Sequence, residues 1–596
     1  MSLSAKLGNW VLGTFRDSRD ARFRWASIGT SIGRNRRVSP KLTPVSTDLV
    51  QSSRAGRVPI RITFRTAARL LRSGEFRAFG RRLASFTRRT VRQDKSPDYQ
   101  KWRAAHVVLD DADRRRISNL SAEPERLVRF VVRTFEDSSV PFGLTSGPTT
   151  PADWMIYVDG PAELHEAAIF AFSDAVSRRP DIVVVYADHE IVGRNGLPIA
   201  PHLKPDWNAD LALGHAYVGP VLAIRIDHLE EVSGTRVPSS FHDLLLSATR
   251  DLTRDQIHHI PHVLSSISAE YGIASDADAV VRHLAERQIR TVVDRNTGTC
   301  RVVWPVPAPI PRVSVVIPTR DRGRMLERCL DGVRHRTSHS DIELVIVDHS
   351  STQRRARHLL DGVVDSGEAT VVTYEGPFNF SRMVNLGVAT STGEVVCLLN
   401  NDTEVLDPDW LTELVGQVSR PEVGVVGPLL LFADGSIQHA GVHPGLGGFM
   451  GHGHKHRLHG DPGYFGRLTV AHEVAAVTGA CLVIERELWD DLGGMDEGLE
   501  VAFNDIDLCL RVRRANLRVV FTPHAVLRHH ESVSRGVDDD PHRSARLAEE
   551  YRRMKQRWGS DLELDPAYHP DLSRDPSGFR QGGRQDRVRG PNPTVA

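Results

Sequence analysis

Strands and helices alternate through residues 312–535, as the pattern of apolar and polar positions indicates. Apolar β-rich runs predict three strands, at 313–317, 344–347 and 394–399. Helical spacing predicts helices at 324–333 and 381–389, and Asp407-Pro408-Asp409-Trp410 begins a further helix with an acidic first turn. This alternation predicts a largely parallel, Rossmann-like sheet.

An upstream region repeats the alternation on a smaller scale. Residues 155–158 and 182–186 predict short strands, and residues 162–177 predict a helix between them. A linker then follows, marked by Pro305, Pro307, Pro309 and Pro311. The Gly-, Arg-, Pro- and Gln-rich end of the chain is predicted to be disordered.

A chain of 596 residues has room for several domains. We predict six segments: a basic, Arg-rich, partly helical region at 1–105, an α/β domain at 106–300, a Pro-rich linker at 301–311, the main α/β domain at 312–536, a helical extension at 537–572 and a disordered tail at 573–596.

The net charge of +1 conceals a strongly basic start. Residues 1–100 contain 22 Lys and Arg against 6 Asp and Glu. Within them, Arg side chains fill the gaps between apolar positions at roughly helical spacing: Leu70, Leu71, Phe76, Phe79, Leu83 and Phe86. Two interpretations stand equally, a helix lying on anionic lipid and a solvated basic face packed on the protein. Nucleic acid is not an expected partner, because no nucleic-acid motif accompanies the charge.

Cysteine usage and hydropathy predict a cytoplasmic protein. The five cysteines are scattered, have no C-x-x-C spacing and lie mostly in apolar runs, as small core residues in a reducing compartment do. No run approaches the roughly 18 apolar residues of a spanning helix, and the first 30 residues lack the apolar core of a signal peptide. With the basic region on lipid, the protein would be peripheral on the inner face of the cell membrane.

Polar residues follow the predicted strands where ligands bind in α/β sheets. Asn400-Asn401-Asp402 comes directly after an apolar strand, which places a carboxylate at its carboxyl end. Oxygen ligands there suit Mg²⁺ or Mn²⁺ holding a diphosphate. A second carboxylate and a His further along the chain could complete a metal-assisted transfer site. A plain β-turn is the alternative interpretation of the Asn-Asn-Asp sequence.

The ordered motifs of residues 312–535 resemble the inverting family 2 glycosyltransferases of the GT-A fold. Four segments carry the resemblance: Val313-Ser314-Val315-Val316-Ile317-Pro318-Thr319-Arg320-Asp321, Leu344-Val345-Ile346-Val347-Asp348, Leu399-Asn400-Asn401-Asp402 and Phe503-Asn504-Asp505-Ile506-Asp507. Further segments resemble large bacterial enzymes of rhamnan, O-antigen and related surface-polysaccharide synthesis: Pro377-Phe378-Asn379-Phe380-Ser381, Ile437-Gln438-His439-Ala440-Gly441 and His529-His530-Glu531-Ser532.

The resemblance implies a nucleotide-sugar site with a metal. The residues implied for the nucleotide sugar are Pro318, Thr319, Asp321, Asp348, Asn400, Asn401 and Asp402. Asn400 replaces the first acid of the family's Asp-x-Asp, so Asp402 is the remaining carboxylate for the ion, and His529 matches the family's late metal ligand. His530 competes for that assignment, and Asp321 and Asp348 have an alternative interpretation as helix caps or turn residues.

The resemblance also implies a catalytic base. An inverting transfer needs one carboxylate to take the acceptor's hydroxyl proton, and Asp505 matches the family's base, although a helix cap remains its alternative interpretation. Thr478 and Gly479 are expected to line the acceptor or donor sugar, because small residues allow close approach. Asn504, Asp507 and His530 are further candidates for that wall.

The upstream α/β domain resembles the second half of another family 2 domain. Its Val158-Asp159-Gly160-Pro161-Ala162 stands where an Asp-rich metal motif would be and keeps only Asp159. We therefore expect a degenerate GT-A-like domain. A bifunctional enzyme with two active domains is one alternative, and a catalytically silent glycan-binding scaffold is another.

The expected function is transfer of a hexose or deoxyhexose such as rhamnose, with inversion, from a UDP- or dTDP-sugar. The expected acceptor is a growing cell-surface glycan, free or lipid-linked. Mg²⁺ or Mn²⁺ is the expected cofactor, and an anionic membrane surface is a further expected partner.

Overall fold

The computed structural model describes residues 98–582 with internal gaps, the longest at 109–114, 116–127, 135–152 and 531–540. Shorter gaps fall at 234–237, 272–274, 288, 290–291, 297, 564 and 577. The expectations for residues 1–97, including the basic amphipathic segment, lie outside the described residues, as do those for 583–596. No helix in the described part of the chain is long and apolar enough to cross a bilayer.

The upstream region forms a sheet of seven strands within the described residues. Its strands are β1 Phe130–Thr134, β2 Trp154–Val158, β3 Glu163–Leu164, β4 Val184–Val192, β5 Pro198–His202, β6 Val221–Arg225 and β7 Ile257–Ser268. Its helices are α1 Asp98–His106, α2 Ala168–Arg178, α3 Ala209–Gly214, α4 Ile226–Ser233, α5 Phe241–Ala248 and α6 Ala277–Glu286.

A short hairpin of β8 Val292–Asn296 and β9 Thr299–Val303 follows the upstream sheet. The extended Pro-rich stretch therefore begins after Val303, three residues later than the linker predicted to start at 301. Helix α2 also starts later than the predicted 162, because β3 pairs with β7 and uses the residues in front of it.

The downstream sheet has ten strands. Its strands, with those of a small β17–β18 hairpin, are β10 Val313–Thr319, β11 Ile342–Asp348, β12 Thr370–Thr373, β13 Val395–Leu399, β14 Thr403–Val405, β15 Val423–Leu431, β16 Ile437–His439, β17 Val442–Pro444, β18 Met450–His452, β19 His472–Glu473, β20 Cys481–Glu485 and β21 Arg518–His529. The helices are α7 Gly323–His335, α8 Arg354–Asp365, α9 Phe380–Thr390, α10 Trp410–Val418, α11 Arg486–Asp491, α12 Asn504–Arg514 and α13 Pro541–Trp558.

The downstream sheet is parallel at one side and mixed at the other. Its order is β12-β11-β10-β13-β20-β15-β21-β14. Strands β12, β11, β10 and β13 are mutually parallel, whereas β20 runs antiparallel to both β13 and β15. The predicted α/β class and parallel sheet are found in the first four strands, and the antiparallel members lie beyond them.

Both faces of the downstream sheet are covered, which explains its apolar runs. Successive side chains of a strand point to opposite faces, and Val315 and Val316 of β10 accordingly belong to two different core clusters. Helix α9 packs very close to the sheet at Gly387, where an added Cβ would lie 2.4 Å from the Val316 side chain. Glycine is therefore required at that crossing.

The upstream sheet repeats the topology of the downstream one. Its order, β1-β2-β6-β4-β7-β3, has the same succession of parallel and antiparallel pairs as β10-β13-β20-β15-β21-β14. Strands equivalent to β11 and β12 are absent from its described residues. The upstream region is thus a second copy of the larger part of the downstream sheet.

The chain after α13 returns to the upstream region. Tyr568, Leu572 and Phe579 pack in one cluster with Tyr99 and Trp102 of α1. Phe579 is buried, and its backbone N–H donates to the Tyr568 hydroxyl at 2.8 Å. The predicted disordered tail began at 573, and its described part up to 582 is packed against the protein.

Candidate active site

The carboxyl ends of three neighbouring strands bring the predicted nucleotide-binding residues together. Thr319, which follows Pro318 at the end of β10, pairs in register with Asp348 at the end of β11. The Asn401 side chain, just after β13, donates to the Thr319 hydroxyl at 2.7 Å. Because parallel strands end at one edge of a sheet, this is where an α/β protein binds its ligand.

Asp402 and His529 meet at the same edge. The turn after β13 leads into β14, which pairs with β21 so that Thr403 lies opposite His529. The Asp402 Oδ1 atom lies 3.0 Å from His529 Nε2, and both side chains are largely buried. The Asn400 amide nitrogen lies 3.2 Å from the same ring nitrogen. The three positions implied by the resemblance therefore converge on one point.

The other ring nitrogen of His529 is held by Gln438 of β16. His529 Nδ1 lies 2.9 Å from the Gln438 side-chain oxygen, so Nδ1 carries a proton and donates it. In the neutral ring Nε2 therefore carries the lone pair, which can accept the Asn400 amide N–H or bind a metal ion beside the Asp402 carboxylate.

The donor set fits a divalent ion with oxygen and imidazole ligands. Burial raises the pKa of the Asp402 carboxyl, but the hydrogen bond and the charge of His529 outweigh it and hold the pKa below its ordinary value. The carboxylate is therefore ionised and able to ligate at neutral pH. One carboxylate and one imidazole with a fixed tautomer suit Mn²⁺ or Mg²⁺, with the remaining positions for diphosphate oxygens.

His530 does not share this position. Its backbone N–H donates to the Asp402 carbonyl, but its ring lies 3.1 Å from Glu404 Oε2 and 3.2 Å from an Arg328 nitrogen. Neighbouring residues of a strand point to opposite sides, so the ring of His530 is directed away from Asp402. His529 is therefore the residue that faces the carboxylate, and a wall role for His530 stays a prediction.

Asp321 and Asp348 hold the loop between β11 and α8. One Asp321 oxygen accepts the backbone N–H groups of Thr352 and Gln353, each at 2.7 Å. The Asp348 carboxyl accepts from the backbone and hydroxyl of Ser351. Both carboxylates lie at the expected edge of the sheet, and their present contacts are those of turn and cap residues. Their contact with a nucleotide stays a prediction.

Asp505 lies in the first turn of α12 and reaches the segment before β20. Its Oδ2 accepts the Gly479 backbone N–H at 2.7 Å. The next residue, Ala480, accepts from the Asn400 backbone N–H at 2.9 Å through its carbonyl. The short segment that contains Thr478 and Gly479 therefore lies between Asp505 and the residues around Asp402, as expected for the wall of a site.

Asn504 and Asp507 contact other parts of the protein, and their role in the wall of the site stays a prediction. Asn504 is buried and donates to the Ser381 hydroxyl at 3.1 Å, behind the site. Asp507 is fully buried and accepts from Arg511, Arg557 and Trp558, each at 2.9 Å. Residues 505 and 507 point to different sides of the helix, because each residue rotates the helix by about 100°.

The upstream sheet lacks an equivalent of the Asp402–His529 pair in its described residues. The Asp159 backbone N–H donates to the Pro220 carbonyl, as Asn400 does to Ala480, so Asp159 occupies the position of Asn400. No carboxylate follows before β3, and the residue of β7 opposite Glu163 is Ser266, where the downstream sheet has His529. The Tyr271 hydroxyl contacts the Asp159 carboxyl at 3.2 Å.

Three buried side chains elsewhere have a spacing that a metal ion could occupy. Ligand-type atoms of Asp188, His259 and His569 all lie within 4.8 Å of one another. However, His569 Nδ1 accepts the Asp571 backbone N–H at 3.0 Å, so its ring proton is on Nε2, 2.8 Å from Asp188. His259 lies between Asp188 and Asp206. Asp188 Oδ2 and His569 Nε2 nevertheless form no hydrogen bond in the described residues, so these contacts leave two buried polar atoms of the cluster without one.

Gln438 is the one residue of this site that the sequence did not identify as functional. It lies in the Gln-His-Ala-Gly segment that carried the subfamily resemblance, which was the available signal. Its contact with His529 spans 91 residues of sequence, and spacing alone does not predict such a pairing.

Comparison with known proteins agrees with this geometry. Residues 314–493 match the family model "Glycosyl transferase family 2". The match includes the strand edge with Thr319, Asp348 and Asp402, and it ends before Asp505 and His529.

Three curated proteins are similar to the chain. "Uncharacterized protein y4gI" of Sinorhizobium fredii is 38% identical over 69% of this chain and 47% of that protein. "O-antigen biosynthesis protein RfbC" of Myxococcus xanthus is 31% identical over 82% of this chain and 39% of that protein. "N-acetylglucosaminyl-diphospho-decaprenol L-rhamnosyltransferase" of Mycobacterium tuberculosis is 25% identical over 39% of this chain and 80% of that protein.

The chain spans less than half the length of the first two of these relatives. The predicted resemblance to bacterial family 2 glycosyltransferases is nevertheless confirmed, because the family model, the relatives and the arrangement of the sheet agree. The downstream domain has the GT-A fold and matches the family model over residues 314–493, so the chain contains a glycosyl transferase family 2 domain.

Proposed function

We propose that the chain is a metal-assisted, inverting glycosyltransferase of cell-surface polysaccharide synthesis. The transferred sugar is a hexose or a deoxyhexose such as rhamnose, the donor is a UDP- or dTDP-sugar, and the acceptor is a growing, lipid-linked glycan. The names of the O-antigen and rhamnosyltransferase relatives support this choice of substrates. The enzyme works in the cytoplasm, with its basic residues 1–105 on the anionic inner face of the cell membrane.

One observation carries the proposal: His529 Nε2 and the Asp402 carboxylate lie 3.0 Å apart beside the ends of β10 and β11, with His529 Nδ1 bonded to Gln438. An imidazole and a carboxylate so placed can bind one divalent ion, next to the strand edge at which a diphosphate binds. Mg²⁺ or Mn²⁺, when bound, neutralises charge on the departing nucleoside diphosphate.

The residues of the chain then have separate roles. Asp402 and His529 hold the ion, while Thr319, Asp321, Asp348, Asn400 and Asn401 hold the nucleotide sugar. Asp505, across the Thr478–Gly479 wall, accepts the proton of the acceptor hydroxyl as its oxygen attacks the anomeric carbon. One base is sufficient, because inversion requires no covalent intermediate.

A donor panel tests the proposal. The purified chain is incubated with Mn²⁺, Mg²⁺ or a chelator and with UDP-, dTDP- and GDP-sugars, with and without a lipid-linked glycan extract, and nucleotide release is measured. We expect release with one UDP- or dTDP-sugar, dependent on metal and stimulated by acceptor. Folded protein that neither binds nor turns over any donor would instead support the silent-scaffold alternative.

A further inference from the structure

Helix α13 lies outside the residues matched by the family model and packs on the segment that carries Asp505. Its buried strip consists of Glu550, Met554 and Trp558, at successive spacings of four residues. This spacing places the three side chains on one face of the helix. The strip contains two polar groups, the Glu550 carboxylate and the Trp558 indole N–H. Both need hydrogen-bond partners when buried, so the strip does more than pack against apolar side chains.

Glu550 binds the backbone just before Asp505. Its two carboxylate oxygens accept the N–H groups of Val501 and Ala502, at 2.8 and 3.2 Å. Burial raises the pKa of Glu550 above its ordinary value, although the two amides act in the opposite direction. Burying the Glu550 carboxylate costs desolvation free energy. In this position the carboxylate fixes the two consecutive peptide N–H groups of Val501 and Ala502.

The end of α13 binds the side chain of Asp507, two residues after Asp505. Arg557 and the Trp558 indole N–H both donate to Asp507 Oδ1 at 2.9 Å. Arg557 also donates to Asp496 at 2.8 Å, and Arg553 donates to the same carboxyl. Helix α13 is therefore bound to the segment on both sides of Asp505.

Asp505 itself points the other way, toward Gly479. A Cβ at Gly479 would lie 3.3 Å from the Asp505 Cβ, which shows how closely the two backbones approach. Since the Asp505 carboxylate accepts the Gly479 N–H at 2.7 Å, a shift of the backbone that carries Asp505 would displace the carboxylate from this position. A displacement of about 1 Å in such a group is enough to reduce a reaction rate strongly.

We propose that α13 is a positioning element for the reaction, in which Glu550 and the Arg557–Trp558 pair hold residues 501–507 so that Asp505 faces the acceptor. The proposal rests on the proposed function, since it assigns a role relative to the base. Glu550, Arg557 and Trp558 are positioning residues and contact neither substrate nor metal.

The test compares Glu550→Gln with Glu549→Gln in the full chain, at the donor found to be turned over. Glutamine keeps the size of Glu550 but presents an N–H₂ group to an amide N–H, so the segment must shift. We expect kcat to fall about tenfold, while KM and Kd for the donor stay within about twofold. Glu549 is exposed, pairs only with Arg552 on the same helix, and is the matched control; its variant should behave as the unsubstituted chain.

A second variant covers the case in which Glu550→Gln folds poorly. Arg557 is two-fifths exposed, so Arg557→Ala leaves the core intact and removes the bridge between Asp496 and Asp507. It should lower kcat with an unchanged donor Kd, and Arg557→Lys should restore part of the rate.

The outcomes separate the two proposals. An active enzyme in which Glu550→Gln and Arg557→Ala retain kcat, or lose activity only in proportion to unfolded protein, would overturn the positioning role alone. An unsubstituted, folded chain that turns over no donor would overturn the proposed function and the positioning role with it.

Discussion

At the scale of single residues, the site depends on the direction in which each of two adjacent histidine rings points. Gln438 fixes the tautomer of His529, so that Nε2 faces Asp402, whereas His530 is turned to Glu404. The sequence predicted Asp402 and His529 because strand ends and family motifs placed them. The sequence alone could not decide whether His529 or His530 is the metal ligand, because the pairing of β14 with β21 determines which ring faces the carboxylate.

The adjacent histidines should therefore respond very differently to substitution. His529→Ala removes a metal ligand, and we expect metal-dependent nucleotide release to fall at least about 100-fold. His530→Ala, the matched control, should stay within about threefold of the unsubstituted rate, because its ring contacts Glu404 and Arg328 rather than Asp402. Steady-state rates of nucleotide release at saturating Mn²⁺ measure the difference. Equal losses of rate in both variants would refute the assignment of His529 as the metal ligand.

Gln438 provides a second residue-scale prediction. Gln438→Ala should weaken Mn²⁺ binding about 10–100-fold, as loss of a partner behind a ligating histidine does. Titration calorimetry with Mn²⁺ in the presence of nucleoside diphosphate measures the change. Gln100→Ala, on the exposed side of α1, is the control and should bind as the unsubstituted chain does. An unaltered affinity in Gln438→Ala would show that the tautomer is fixed by something else.

At the scale of elements, the apolar runs were sufficient for the strands and helices that form the core. The strands β10, β11 and β13 and the helices α7 and α9 were predicted within a few residues, because buried strands and amphipathic helices have strong periodic signals. The two-residue β3 and the packed segment around Phe579 were missed. Their order comes from contacts with distant residues, Ser266 and His454 respectively, rather than from local pattern.

The buried cluster that joins β4, β7 and the segment after α13 should make stability depend on pH. Burial lowers the pKa of His259. The negative charge of Asp188 and the hydrogen bond that His259 makes with it act in the opposite direction, as does Asp206, and together they raise the pKa to about 9. Because the folded-state pKa is raised above the ordinary value of about 6.5, the stabilisation is complete below pH 6.5 and is lost as pH rises through 9.

Free energies of unfolding between pH 6 and 10 test this dependence. The unsubstituted chain should lose stability across the range from about 6.5 to 9, and His259→Gln should lack that slope. His258→Gln is the control, since burial lowers the pKa of His258 to about 4 and keeps its ring neutral throughout the range. The same slope in the unsubstituted chain and in His259→Gln would contradict the assignment.

At the scale of the whole molecule, buried charges join the upstream and downstream sheets. Asp210 of α3 is paired with Arg420 and Arg518 of the downstream domain, and Glu473 of β19 is paired with Arg254. The upstream domain repeats the downstream topology without the metal pair, so we infer that its contribution is to support the active domain. Sequence alone could not predict this, because the pairs connect residues more than 200 positions apart.

Removing the charge of Asp210 should destabilise the molecule strongly. Asp210→Asn leaves two arginines without their carboxylate in a buried place, at a cost of about 3–5 kcal/mol. Asp174→Asn, which breaks the exposed pair with Arg178, should cost less than about 1 kcal/mol. Denaturant unfolding compares the two, and similar losses would contradict a buried ionic connection between the domains.

The central claim is that Asp505 acts as the base beside a metal held by Asp402 and His529. The most direct measurement compares Asp505→Asn with the unsubstituted chain for both donor binding and transfer, with exposed Asp491→Asn as the control. We predict that Asp505→Asn binds the donor and metal normally and transfers about 10³-fold more slowly, while Asp491→Asn is unaffected. Undiminished transfer by Asp505→Asn would contradict the account.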